Sequence, residues 1–234
     1  MSSRRPDRES TDRVPPGSGR RPTASGEPSR PSPPADIGRS PEPADVRAKL
    51  VAAARRLFAE RGFHGTTADQ LIDAAGLTRG ALYRDFADKR DLFRAVFVAV
   101  EQDLAATVAA AIQSDGTLSE QRRATLRAFL RACLDDEVRR IVLLEGPVVL
   151  GWKEWREIDS GYSLGFLEGL VEAEMQAGLR PRQPVRPIAL LIVGAVTEAG
   201  LAVASARDPE AAIAEFMVAV EHLWGVHDPE SGTS

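Results

Sequence analysis

From Asp45 onward apolar side chains fall at a helical period. Val46, Leu50, Ala53, Ala54, Leu57 and Phe58 stand at i, i+4, i+7, i+8, i+11 and i+12, which is one stripe of an α-helix. Gly62 ends that stripe, and further stretches of the same period run at roughly 67–74, 78–84, 89–113, 119–144, 152–178, 186–206 and 209–225, divided by Gly, Pro or Asp/Ser punctuation. No sustained alternation of apolar and polar positions predicts a strand, so the pattern predicts an all-α fold. Arg140 to Leu150, RIVLLEGPVVL, is rich in β-branched residues and is the least helical of these stretches.

The chain before this pattern reads differently. Its first 43 residues carry 10 of the 16 prolines and no aromatic side chain, which leaves too little apolar surface to offset ordering entropy. Residues 1–44 are expected to be a disordered Pro/Arg/Ser-rich tail, and residues 227–234 a second tail. Ile188 to Ala206 is a 19-residue run with Glu198 as its single charge, near the length that spans a bilayer. No basic cluster flanks it, so a helix buried among neighbours is expected and no membrane partner, with Gly194, Ala195, Ala199, Ala202 and Ala204 permitting close approach.

Charge sharpens the division. The net charge of −4 hides a basic segment: residues 46–95 hold 10 basic against 6 acidic side chains, whereas residues 96–234 hold 12 against 21. Only the first of these suits a polyanion. A single cysteine, Cys133, excludes an internal disulfide, and three dispersed histidines offer no metal spacing, so neither metal nor cofactor is expected. No GxSxG, Walker or H-E-x-x-H motif supplies an enzyme, and the chain is read as a non-enzyme.

The richest stretch is Leu57 to Phe97, LFAERGFHGTTADQLIDAAGLTRGALYRDFADKRDLFRAVF. Thr67 with Gln70 makes a capping box that opens a two-turn helix. Ala74, Ala75, Gly76 and Leu77 give a tight turn, and Thr78 caps the next short helix. Two short helices across a Gly turn form a helix-turn-helix. The second presents small or polar residues outward (Thr78, Arg79, Gly80, Ala81), turns Leu82 and Phe86 inward, and adds Tyr83, Arg84 and Lys89 as donors on its outer side. Asp88 is placed to cap the helix that follows.

These residues resemble the TetR-type (TetR/AcrR) bacterial transcriptional regulators. The resemblance is carried by the LFAERGFHGTT opening, the AAGLTRGALYR core and the FxDKxxLFxAVF exit, about 50 continuous residues, with a GPxVLGWxxWR segment at Gly146 to Arg156 matching some members' bodies. It implies a three-helix helix-turn-helix domain over 45–95 and a larger helical effector-binding and dimerisation domain over 96–226. It also implies a cytoplasmic homodimer, a palindromic double-stranded DNA operator and a small-molecule effector that releases DNA, hence a repressor; the alternative is a helical protein-interaction adaptor whose helix-turn-helix no longer binds DNA. Carried over by residue, Thr67, Tyr83 and Lys89 look like phosphate contacts, and Thr78, Arg79 and Ala81 like groove readers, with Arg79 suited to guanine. Asp85 stands where family members often have His, and Ile72 where they often have Ala.

In the body, Phe129, Cys133, Glu145, Trp152, Trp155, Tyr162, Phe166 and Glu198 are candidates for an effector pocket. Cys133 as a redox sensor is weighed against ordinary packing of a lone apolar-face cysteine. An acidic body with aromatic residues suggests an effector that is apolar or aromatic and neutral or cationic. Ile213, Phe216, Met217, Val220 and Trp224 form a stripe that, with the 188–206 helix, looks like a dimer interface.

Overall fold

The fold is all-α, an N-terminal helix-turn-helix followed by a larger helical body, in a computed structural model. The structure describes residues 43–112 and 115–224. The two expected tails lie outside the described residues, except that Pro43 and Ala44 begin the first helix.

The helices are α1 (Pro43–Arg61), α2 (Ala68–Ala75), α3 (Arg79–Asp85), α4 (Lys89–Ala110), α5 (Leu118–Ala132), α6 (Gly146–Leu150), α7 (Trp152–Gln176), α8 (Val185–Ala204) and α9 (Pro209–Trp224), with a π-helical segment, Val138–Glu145, before α6. Their starts are written locally. Thr67 and Gln70 form the expected capping box, Thr78 accepts the Ala81 N–H, Asp88 accepts the Asp91 N–H, and Thr117 forms a second box with Glu120. Gly76, at φ +64°, closes α2 in the left-handed conformation that a side chain disfavours.

One core joins the head to the near end of the body. Leu50 and Phe58 of α1, Leu71 of α2, Leu82 of α3 and Phe93, Val96 and Phe97 of α4 are buried together with Ile141, Val142 and Trp155. Phe93 meets Phe58 and Phe63 with ring centroids 5.3 and 5.4 Å apart. The helix α4 runs through residue 95, and its packing continues on both sides of that position.

The helix expected over 119–144 is interrupted. It stops at Ala132, and Asp135 Oδ1 accepts the N–H groups of Glu137 (2.8 Å) and Val138 (3.3 Å), capping a restart as the π-helical segment. The Gly146 N–H then reaches back five residues to the Ile141 carbonyl. Pro147 explains the widening. A proline lacks the N–H and crowds the carbonyl four residues earlier, so an α-helix cannot run through it undisturbed. The Val142 carbonyl, whose partner five residues on would be Pro147, instead accepts the Trp155 indole N–H at 3.0 Å.

A second core lies between α5, α7, α8 and α9, with Leu130, Val171, Ala189, Val193, Val203 and Ile213 among its members. Here the dimer-stripe expectation is corrected. Ile213, Met217, Val220 and Trp224 are buried in this core of the same chain, and Phe216 packs against it half-buried. The stripe was real, but α5 and α8 of the same protomer cover it. The far end of the core carries a polar knot: fully buried Glu174 accepts from Arg122 Nη1 (2.6 Å), Trp224 Nε1 (2.8 Å) and Arg180 Nε (3.3 Å), and Arg180 also donates to the Trp224 carbonyl.

Among the described residues α8 alone is long and apolar enough to cross a membrane by length and composition. Its inner face buries Ile192, Val193, Ala199 and Val203, and its outer face exposes Leu190, Leu191 and Glu198.

Candidate nucleic-acid interface and ligand cavity

Leu82 and Phe86 anchor α3 in the head core, which leaves its opposite face outward. Thr78, Arg79, Gly80, Tyr83 and Arg84 are exposed, as is Thr67 at the start of α2; Ala81 is half-buried and touches the core with its methyl. Apart from Ala81 and Lys89, the side chains named for reading and gripping DNA are thus exposed, those of α3 on the side opposite its core anchors. The Arg79 guanidinium is held by Asp69 of α2. Both partners are exposed, so solvent screens the pair and leaves Arg79 free to exchange Asp69 for another acceptor. Asp85 turns to Arg84, which donates to both of its oxygens at 3.1 and 3.2 Å and has its own pKa raised by that hydrogen bond. The carboxylate that would repel phosphate is thereby offset by a neighbour on the same helix.

Lys89 sits lower than expected. Its ammonium donates to the carbonyls of Phe63 (2.8 Å) and Thr66 (2.9 Å) and lies 4.1 Å from the centre of the Phe63 ring. Desolvation lowers its pKa, with Glu145 opposing. Lys89 therefore fixes the loop that presents Thr67.

The head is tied to the body by a row of polar contacts that periodicity does not announce. Glu145 accepts the Phe63 N–H at 2.7 Å, Arg140 donates to the Ala59 carbonyl at 2.9 Å, and Arg55 pairs with Glu137 at 2.5 Å. Arg90 donates to the Leu150 carbonyl (2.8 Å) and, with Arg94, grips Glu154. Burial pushes the Glu154 carboxyl up, but the two guanidinium groups outweigh it and hold the pKa below its usual value.

Within the body a cavity of about 300 Å³ is bounded by α4, α5, α7, α8 and α9. Phe129, Tyr162 and Phe166 line it, as the sequence suggested, and Trp224 lines it too. The other expected pocket residues lie elsewhere. Trp155 is buried in the head-side core, and Trp152 is exposed with its ring centroid 4.9 Å from that of Trp155. Glu145 serves the head, Glu198 is exposed on α8, and Cys133 is buried in packing with Gly200. Burial, with Glu101 adding, pushes the Cys133 thiol up to about 12, which keeps it un-ionised and unsuited to redox sensing. Three charged lining residues were missed: Glu101, Arg122 and Asp159. Glu101 carries a legible signal, because it interrupts the apolar stripe Phe97, Leu104 and Val108 of α4.

The comparisons with known proteins agree with this geometry. Residues 50–96 match the family described as bacterial regulatory proteins, tetR family, and residues 119–225 match the tetracyclin repressor-like C-terminal domain. The chain is 35% identical to the HTH-type transcriptional repressor AcnR of Corynebacterium glutamicum over 81 residues, which cover 35% of this chain and 41% of that protein. The match thus spans about two fifths of the length of these curated relatives. The crystal structure of a TetR-family transcriptional regulator from Pectobacterium atrosepticum superposes with a TM-score of 0.69 at 31% identity, covering 80% of this chain and 96% of that one. The structure of RolR in complex with resorcinol shares the fold at a TM-score of 0.65 and 19% identity, covering 81% and 92% of the two chains.

Proposed function

Since the chain belongs to the TetR family of bacterial DNA-binding transcriptional regulators, we propose that it is a cytoplasmic repressor. It binds a palindromic double-stranded operator as a homodimer and leaves DNA when a small-molecule effector fills the body cavity. The observation that carries the reading is the outward face of α3. Thr78, Arg79, Gly80, Tyr83 and Arg84 stand exposed on a helix whose opposite side is locked into the core, in the segment of the chain with the largest basic excess.

Dimerisation is assigned to the outer faces of α8 and α9, where Leu191, Val218 and Leu223 are 71%, 57% and 75% exposed. Exposed large apolar side chains on two neighbouring helices suit a contact surface. A two-fold dimer places its reading helices about 34–36 Å apart or a multiple of that, the repeat of the major groove. Pairing of Asp85 with Arg84 offsets the one carboxylate on the reading helix, which supports DNA binding over the adaptor alternative.

Selecting bound fragments from genomic DNA tests the proposal. Arg79→Ala is expected to cost about 1–3 kcal/mol and to relax one position of the selected site. Equal loss on every sequence would remove Arg79 as a reader. Failure to retain any duplex at low salt would remove the proposal itself.

A further inference from the structure

Three polar atoms at the wall of the body cavity have no hydrogen-bond partner: Oε1 of Glu101, Oδ2 of Asp159 and Nε of Arg122. Glu101, from α4, is only 3% exposed. Buried carboxyl oxygens are ordinarily satisfied, and a pair left open against one cavity marks a place for a donor from outside the fold. The rest of that wall carries no charge: it is apolar or aromatic apart from the hydroxyl side chains of Thr125, Ser163 and Thr197.

The surrounding charges decide the sign of that donor. Arg122, from α5, is committed through Nη1 to Glu174 at 2.6 Å, a carboxylate that Arg180 shares, so at the wall one cationic donor, its Nε, stands against two carboxyl groups. Arg156, on α7, reaches Asp159 Oδ2 at 3.5 Å without hydrogen-bond geometry. Cys133, which feels the Glu101 charge, stays a thiol, and Tyr162 of α7 shares the cavity wall. Burial, with Asp159 adding, pushes the Glu101 carboxyl up to about 8; burial pushes Asp159 up to about 6, with Arg156 opposing. Near neutral pH, Asp159 is therefore mostly ionised and Glu101 mostly protonated.

Resting on the effector reading above, we propose that the cavity takes an aromatic amine, its ammonium on the free oxygens of Glu101 and Asp159 and its ring against Phe129, Tyr162, Phe166 and Trp224. A cation at this place stabilises the ionised carboxyl. Each binding event below the Glu101 value of about 8 then releases a proton, so affinity rises as pH rises toward that value and levels off above it. An anion would meet ionised Asp159, and a neutral ring would leave the carboxyl oxygens without a counter-charge.

Calorimetry of the full chain with 1-naphthylmethylamine, 1-naphthylmethanol and 1-naphthoate tests this, in buffers of different ionisation heat and at two pH values a unit apart below the Glu101 value. The amine is expected to bind at least about tenfold tighter than the other two and to gain up to about tenfold per pH unit with matching proton release. Glu101→Gln should remove the release and the pH slope, and Asp159→Asn should remove most of the preference for the amine. The proton count of the unmodified chain decides the matter even if a variant fails to fold. Equal binding of the three probes, tighter binding of the carboxylate, no binding of the amine, or binding without proton release each overturns the proposal. Displacement of bound DNA, measured in parallel, separates the two readings. Release by the alcohol or the carboxylate, with the amine inert, keeps the effector reading and removes only this one.

Discussion

Replacing Trp155 by Phe tests the account of the π-helical segment. The indole N–H donates to the Val142 carbonyl at 3.0 Å in a site where Trp155 is 3% exposed. No backbone donor can take its place, because the Gly146 N–H serves Ile141 and Pro147 has none. Phe keeps most of the ring packing but leaves a buried carbonyl unpaired, which costs about 1–3 kcal/mol. The smaller ring adds about 1 kcal/mol of lost burial, for a loss of about 2–4 kcal/mol. Equilibrium urea unfolding at fixed protomer concentration reads this as a lower midpoint at unchanged slope. Pro147→Ala is the decisive partner, since it restores an N–H five residues after Val142. In that background Trp155→Phe should cost about 1–2 kcal/mol less, a coupling that a double-mutant cycle resolves. Additivity within about 0.5 kcal/mol would refute the reasoning.

Lys89→Met keeps the stem over Phe63 but removes the donor to the Phe63 and Thr66 carbonyls, and it should lower stability by about 1–2 kcal/mol together with DNA affinity; a loss of affinity at unchanged stability would make Lys89 a direct phosphate ligand. Cys133, with its thiol pushed up to about 12, should resist a disulfide reagent near neutral pH in the native protein and react promptly in denaturant. Rapid native labelling would contradict its burial. Val218→Glu with Leu223→Glu should sediment as a folded monomer, whereas Ile213→Glu should unfold the body. A double variant that still sediments as a dimer would move the interface elsewhere.

Features written within a few residues were legible from sequence. The Thr67–Gln70 box, the Gly76 turn and the Thr78 cap depend on adjacent side chains and backbone, so their spacing carries their structure. Features that depend on a distant partner were not. The α9 stripe was visible, but whether a second protomer or α5 and α8 would cover it depends on tertiary placement. Glu174 and Arg122 are 52 residues apart, and no local pattern announces their pair. The break after Ala132 was hidden because the apolar period continues through it, while Asp135 and Pro147 fixed the break by hydrogen bonding and its loss. Asp85 shows a third case, a residue whose pairing with Arg84 depends on side-chain orientation that sequence spacing alone leaves open.

The hydrogen bond spanning five residues at Gly146 also bears on where this chain can gain or lose a residue. Deleting one residue from α1 or α4 would rotate everything beyond it by about 100° and turn a buried face to solvent. Between Val138 and Glu145 the backbone already holds one residue more per turn than an α-helix requires, so a single deletion there is absorbed by tightening that turn. The fold survives such a change, but Glu145 swings away from the Phe63 N–H that it accepts at 2.7 Å. Single-residue length variants in this stretch should therefore yield folded proteins in which one polar tie between head and body, Glu145 to the Phe63 N–H, is lost while the shared core persists.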